Sequence, residues 1–256
     1  MRIVIKIGTS TLAYKTGLLN IKRVEEICKV ISDLKNAGHE IVLVSSGAIG
    51  LGLGKLRLDK RPEDIPTKQA AAAVGQCELM SIYEKYFGEY NHTVAQILIT
   101  GAFAELEGYS ENLDNTLSRL LSLGAIPIVN ENDTVTTDEI VIGDNDTLGA
   151  IIANKVDADL LILLSDIDGL YTSDPNKDEN AHRIEVVEKI TDDIRHLAQD
   201  RSSVLGTGGM ITKIHAAEMV TKKGIEMIVA NGKNPSILYE IIEGGGVCTR
   251  FKPTLS

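Results

Sequence analysis

Arg2-Ile3-Val4-Ile5-Lys6-Ile7-Gly8-Thr9-Ser10 opens the chain with an apolar run that does not alternate and then stops at a glycine and two hydroxyls. A strand wet on one face alternates apolar and polar residues, whereas a strand covered on both faces reads as unbroken Val, Ile and Leu. The stretch therefore predicts a parallel strand buried between helices. The same reading applies to Glu40–Ser45, 93–99, 125–130, Leu160–Ser165 and 225–230. Between these runs lie segments with apolar residues at a 3.6-residue period: 21–37, 67–88, 112–122 and 210–223. Asn20 is placed to cap the first of them and Gly38 to end it. Strands alternating with helices predict an α/β fold, a three-layer α/β/α sandwich around a mostly parallel sheet.

Lys6 stands out in its strand. A lysine inside a run fit for burial needs an anionic partner, and Gly8 lets a ligand approach the backbone. In open parallel sheets ligands gather outside the carboxyl ends of the strands, where this stretch falls. An edge-strand lysine pointing to water is the alternative.

Composition narrows the function classes. The 256 residues carry 26 Lys and Arg against 36 Asp and Glu, a net charge of −10, which disfavours a nucleic-acid or anionic-membrane surface. Three scattered cysteines with no CxxC pair argue against a disulfide framework or zinc site and fit a reducing compartment. The N-terminus reads as a strand and not a signal peptide. No apolar run approaches the roughly eighteen residues of a membrane span. These features predict a cytoplasmic protein. No long linker divides the chain, so 1–256 is expected to form a single domain.

Five further segments carry chemistry. Asn130-Glu131-Asn132-Asp133 and Gly143-Asp144-Asn145-Asp146 are dense in short polar side chains, which suits a small molecule carrying both an amine and a carboxylate. The intervening 134–143 is expected to form a β-hairpin over them. Ile41-Val42-Leu43-Val44-Ser45-Ser46-Gly47-Ala48 runs a strand into small residues whose free N–H groups suit a carboxylate or phosphate. A plain strand-to-helix turn explains it equally well. Gly50-Leu51-Gly52-Leu53-Gly54-Lys55 fails the Walker pattern, since Ile49 stands where a glycine is needed and Leu56 follows the lysine. It is read as a flexible loop. Ser165-Asp166-Ile167-Asp168-Gly169-Leu170-Tyr171-Thr172-Ser173-Asp174-Pro175 follows an apolar strand, and its acidic turn, Tyr171 and Asp174-Pro175 make a rim for a nucleoside, with carboxylates for ribose hydroxyls or a metal-bound phosphate, or else a solvated turn. Gly206-Thr207-Gly208-Gly209-Met210-Ile211-Thr212-Lys213 runs a glycine-rich loop into a helix start, where loop N–H groups, helix dipole and lysine favour phosphate oxygens. Residues 201–209 are expected to be mobile. Two lysines, several anion cradles and carboxylates at strand ends fit phosphoryl transfer from a nucleotide by positioning and charge neutralisation.

These motifs, in this order and over nearly the whole chain, resemble the amino acid kinase family. Lys-x-Gly and the glycine-rich loop are shared across its branches. Asn-Glu-Asn-Asp followed by Gly-Asp-Asn-Asp, together with Gly-Thr-Gly-Gly-Met-x-Thr-Lys, is similar to the branch that phosphorylates the side-chain carboxylate of glutamate with ATP at the start of proline biosynthesis. The resemblance implies that Lys6 and Lys213 grip the moving phosphoryl group and that Asp146 orients them. It implies that Ser46, Asp133 and Asn145 hold L-glutamate, with Asp133 on its ammonium. It assigns the nucleotide to Lys6, Ser165, Asp166, Thr207, Gly208, Gly209, Met210, Ile211, Thr212 and Lys213. Magnesium is implied to arrive with ATP, without direct protein ligands. Proline as feedback inhibitor, a glutamyl phosphate reductase receiving the product, and a homo-oligomer are implied as partners. Ser165 stands where a threonine is usual. Many bacterial members carry a further RNA-modification-type (PUA) domain, which this chain, ending at Ser256, is expected to lack. A kinase for another small acid such as aspartate or acetylglutamate, and a non-catalytic amino-acid sensor, are the competing readings. The sensor is expected to lack a lysine that is present here.

Overall fold

The computed structural model describes residues 1–14, 16, 18–58, 62–100, 106–135, 145–173, 175, 177–199 and 209–254. The unbroken apolar runs form β1 (Arg2–Ile7), β2 (Glu40–Ser45), β3 (Val94–Ile99), β4 (Ile126–Glu131), β5 (Leu160–Ser165) and β9 (Glu226–Asn231). With β8 (Val186–Val187) and β10 (Cys248–Phe251) they make one eight-stranded sheet, ordered β3-β4-β2-β1-β5-β9-β10-β8. All neighbours run parallel except β9 and β10, which are antiparallel. The short strands β6 (Leu170–Tyr171) and β7 (Arg183–Ile184) pair separately. β1 has β2 on one side and β5 on the other, so the chain turns back across it, and a crevice opens at its carboxyl end.

Helices cover both faces of the sheet. After the single turn α1 (Thr9–Leu12) come α2 (Ile21–Asn36), α3 (Ala48–Lys55), α4 (Ile65–Gly88), α5 (Tyr109–Ser122), α6 (Asn145–Lys155), α7 (Asp192–Gln199), α8 (Met210–Thr221) and α9 (Ile237–Ile242). The period of two along β1 sorts its side chains between them. Ile3, Ile5 and Ile7 pack with Ile27 and Ile31 of α2, Leu79 and Tyr83 of α4 and Leu238 of α9. Val4 packs with Leu117 of α5, Leu148 and Ile152 of α6 and Ile214 of α8. Lys6 shares the parity of Val4, so the pleat directs it to the layer that contains α6 and α8. The fold is the expected three-layer α/β/α sandwich.

Side-chain caps fix two helix starts, the first of them as expected. The Asn20 side chain caps α2 by accepting from Arg23 N at 3.2 Å, and Asp64 caps α4 by accepting from Thr67 N at 2.8 Å. The segment read as a flexible loop is corrected: 50–55 belongs to helix α3. Its glycines serve packing. A Cβ on Gly52 would lie 1.8 Å from the Ala71 carbonyl oxygen, and one on Gly75 would lie 1.7 Å from that of Ala48. Helices α3 and α4 can touch backbone to backbone only because both positions lack a side chain. The predicted hairpin at 134–143 and the predicted mobile stretch 201–209 fall almost wholly outside the described residues.

Candidate active site

Two lysines from opposite ends of the chain meet on one carboxylate. Lys6 at the end of β1 places Nζ 2.6 Å from Asp146 Oδ1, and Lys213 in the first turn of α8 places Nζ 2.9 Å from Asp146 Oδ2. Asp146 is fully buried and the lysines nearly so. Thr212 Oγ1 lies 3.1 Å from Asp146 Oδ2 and 2.8 Å from the Gly209 carbonyl oxygen, which ties the α8 helix start to the same carboxylate. Buried charges of this kind hold only when paired and hydrogen-bonded. Asp146 occupies the first turn of α6, where the helix dipole also favours an anion.

The neighbouring residue on α6 faces a different set. Asn145 Nδ2 lies 2.7 Å from Ser46 Oγ, 2.9 Å from the Ser45 carbonyl oxygen and 3.1 Å from Asn130 Oδ1. Successive helical residues point about 100° apart, so one turn of α6 serves two ends of a site. Ser46 itself is fixed by its backbone N–H donating to the Ile7 carbonyl oxygen at 3.1 Å. Gly47 follows at φ 98°, a left-handed conformation that favours glycine and turns β2 into α3. Ser45 Oγ lies 2.8 Å from the buried Tyr83 hydroxyl. Asp133 sits half-buried in the turn beyond β4, and burial pushes its carboxyl above the usual range.

Gly209 is the N-cap of α8 and offers no side chain of its own to the first N–H groups of the helix. Ser165 ends β5 and Asp166 follows it, with Ser165 Oγ donating to Asp166 Oδ1 at 3.1 Å. Ser165 pairs in register with Asn231 of β9, whose side chain donates to the Asp166 carbonyl oxygen at 3.0 Å. Beyond these strand ends an open cavity of about 360 Å³ is lined by Asp168, Asn231, Lys233, Ile237, Glu240 and Val247, among others.

Of the residues singled out in the sequence, the structure joins Lys6, Asp146, Thr212 and Lys213 in one cluster and Ser46 with Asn145 in an adjoining one. Gly209, Met210 and Ile211 lie at the same helix start as Lys213. Gly143, Asp144, Thr207 and Gly208 lie outside the described residues. Asn231 and Gln76 were not anticipated. Asn231 had a signal, a carboxamide at the carboxyl end of an apolar strand.

Residues 1–231 match the sequence model of the amino acid kinase family. The chain belongs to the amino acid kinase family. Among its relatives, a glutamate 5-kinase of Clostridium perfringens is 54% identical across 98% of this chain and 94% of its own length. One from Listeria welshimeri is 52% identical across 98% and 92%. Another from Thermoanaerobacter sp. is 51% identical across 99% of this chain and 68% of its own. The family fold is evident against solved structures. UMP kinase from Ureaplasma parvum superposes with TM-score 0.67 at 16% identity over 98% of both chains. An isopentenyl phosphate kinase gives 0.68 at 18% over 98% of this chain and 100% of the other. No helix among the described residues is long and apolar enough to cross a membrane.

Proposed function

We propose that the chain transfers the γ-phosphoryl group of ATP to the side-chain carboxylate of L-glutamate, giving L-glutamyl 5-phosphate and ADP, the first step of proline biosynthesis. The observation that carries the chemistry is Asp146 bridging Lys6 and Lys213 in a buried cluster. The acid substrate is read from the glutamate 5-kinase relatives at 51–54% identity.

In this reading the nucleophile is a carboxylate oxygen that is already anionic, so no general base has to remove a proton. Its oxygen forms a bond to the γ-phosphorus as the bond to the β,γ-bridging oxygen breaks, and ADP leaves with that electron pair. The task of the protein is to hold the partners in line and to meet charge spreading over the phosphoryl oxygens. Lys6 and Lys213 do so from two directions, and Asp146 holds both ammonium groups in place before substrate arrives, so no reorganisation is needed at the moment of transfer. The start of α8, from Gly209 to Lys213, receives phosphate oxygens. Ser165 and Asp166 take the nucleoside end, with the cavity beyond Asn231 offering room for it. Ser46, Asn145 and Asp133 hold glutamate, the Asp133 carboxylate facing its ammonium.

Among the described residues no cluster of His, Cys, Asp and Glu forms a metal cage. Magnesium fits as the counter-ion of the nucleotide without a direct protein ligand, and it would supply neutralisation of the phosphate charge. The same reading takes 1–256 as one kinase domain acting in the cytoplasm, as a homo-oligomer, inhibited by proline at the acid site and passing its product to a glutamyl phosphate reductase.

Incubation with ATP, Mg²⁺, glutamate and hydroxylamine is expected to yield γ-glutamyl hydroxamate. Product with aspartate or acetylglutamate in place of glutamate would reassign the acid. Glutamate binding without ATP turnover would point to a sensor.

A further inference from the structure

A buried carboxamide on α4 connects to the acid end of the site. Gln76 is 7% exposed, and its Oε1 accepts from Asn130 Nδ2 at 2.9 Å. Asn130 Oδ1 in turn accepts from Glu131 N at 2.9 Å and from Asn145 Nδ2 at 3.1 Å. Asn145 Nδ2 completes the chain at Ser46 Oγ and the Ser45 carbonyl oxygen.

The polarity of this relay is set at its two middle members, Asn130 and Asn145, by backbone groups that cannot change role, and Gln76 anchors the outer side of Asn130. The Glu131 N–H only donates, so the Asn130 atom facing it is oxygen, and Asn130 must present nitrogen to Gln76. The Ser45 carbonyl only accepts, so Asn145 turns its nitrogen toward Ser45 and Ser46. The two Nδ2 hydrogens of Asn145 are shared among three acceptors, of which Ser46 Oγ at 2.7 Å is the nearest, and the Ser46 O–H is left to donate. A hydroxyl held as donor is what an incoming carboxylate requires. Gln76 supplies the acceptor that Asn130 Nδ2 needs. Its own Nε2 has no partner among the described residues. Glutamate at position 76 would keep the acceptor oxygen but bury a negative charge beside an acid-binding site.

We propose that Gln76 is a positioning residue for the acid substrate, acting through Asn130 and Asn145 to hold the Ser46 hydroxyl as a donor. The proposal rests on the glutamate reading of the site, and it assigns Gln76 no contact with the reacting atoms. α4 is a suitable mount, because Gly75, the preceding residue, lets it touch α3 at Ala48, two residues after Ser46.

The test compares the full chain with Gln76→Met, which keeps length and loses the acceptor, and with Gln76→Glu. Glutamate binding is followed by calorimetry, KM for glutamate and for ATP by steady-state kinetics, and folding by thermal denaturation. Gln76→Met is expected to weaken glutamate binding and raise its KM about tenfold, with ATP KM within about twofold. Gln76→Glu is expected to weaken glutamate binding at neutral pH and recover part of it as the pH is lowered and its carboxyl becomes neutral, a trend absent from the wild type. A Gln76→Met variant whose glutamate affinity stays within twofold overturns the proposal. So does one in which glutamate and ATP KM rise together, since that is general loosening. If the wild type binds glutamate but makes no hydroxamate, the kinase reading fails while the binding arm still decides the role of Gln76. If it binds no glutamate, both fail.

Discussion

The Lys6 ammonium and the Asp146 carboxylate meet at 2.6 Å where water hardly reaches, the lysine 6% and the aspartate 0% exposed. An apolar pair of equal volume would often be no less stable at such a place, because desolvation offsets much of the Coulomb attraction. The pair is therefore better explained by what it holds ready than by what it adds to stability. β1 brings the lysine by the parity of its pleat, and α6 brings the aspartate in its first turn. The same turn carries Asn145 to the Ser45–Ser46 end, so a single helix start sets the spacing between the lysine cluster and the Ser46 cluster, the phosphoryl and acid ends of the proposed site.

Asp146→Asn tests the orienting role. It keeps shape but offers an N–H to one of two lysines that both need an acceptor. The expected result is a fall in kcat of about a hundredfold or more with glutamate KM little changed. Removing one partner of a buried pair typically costs about 3–5 kcal/mol, so the midpoint of thermal unfolding should fall too. A variant that keeps kcat within tenfold would show that Asp146 does not orient the lysines.

In the proposed reading, Lys213→Ala and Lys6→Ala each remove one positive charge that faces the transferring phosphoryl group. Each is expected to lose a few kcal/mol of transition-state stabilisation, seen mainly in kcat. The double variant should lose less than the sum, because the two ammonium groups act on one phosphoryl group. Single-turnover measurements with saturating ATP and glutamate separate this from weakened binding.

How far the sequence revealed this arrangement depended on the element. β1 and β2 are bounded as predicted because short apolar runs closed by small residues suit strands covered on both faces, although Lys6 left an edge placement of β1 open. Helix α3 was hidden: three glycines in Ala-Ile-Gly-Leu-Gly-Leu-Gly-Lys lower its local propensity, and only contact with α4 compensates. The start of α6 was hidden in the polar cluster Gly143-Asp144-Asn145-Asp146, whose short side chains announce no helix. β10, Cys-Thr-Arg-Phe, is too short and mixed to announce a strand, and it takes its place by antiparallel pairing with β9. At the site, Lys6 was legible because a charge amid apolar residues demands a partner, Lys213 because it follows a glycine-rich run at a helix start, and Asp146 only through the resemblance to the family. Gln76 was overlooked although it interrupts a buried stripe of Ala72, Leu79 and Tyr83 on α4, and a lone carboxamide in such a stripe asks for a hydrogen-bond partner.

Asp133→Asn separates binding from stability. Burial raises the Asp133 carboxyl, so its ionised form costs folding free energy. The sign follows directly: for an acid whose folded value lies above its unfolded value, the penalty is full above the folded value and vanishes as pH falls below the unfolded one. Asparagine removes it, so the variant should melt higher than the wild type at pH 7 and the difference should shrink toward acid pH. Glutamate KM should rise at least tenfold with ATP KM near normal, because the substrate ammonium loses its counter-charge. Lost ATP affinity with intact glutamate KM would reverse the assignment of the two ends.

Gly52→Ala tests whether the glycines of α3 serve packing. The added Cβ would sit 1.8 Å from the Ala71 carbonyl oxygen, and backbone at that distance must move. Overpacking of this kind costs typically about 1–3 kcal/mol and more where backbone is in the way. The gain from replacing helical glycine by alanine, up to about 1 kcal/mol, is too small to offset it. Unfolding should therefore occur at lower temperature. Parting α3 from α4 also moves Ser46 relative to Gln76, so the surviving folded enzyme should show a raised glutamate KM. Gly54→Ala, on an exposed position of the same helix, is the control and is expected to leave both unchanged or slightly raise the melting temperature. Equal effects from the two substitutions would mean that the contact with α4 is not what the glycine at position 52 is for.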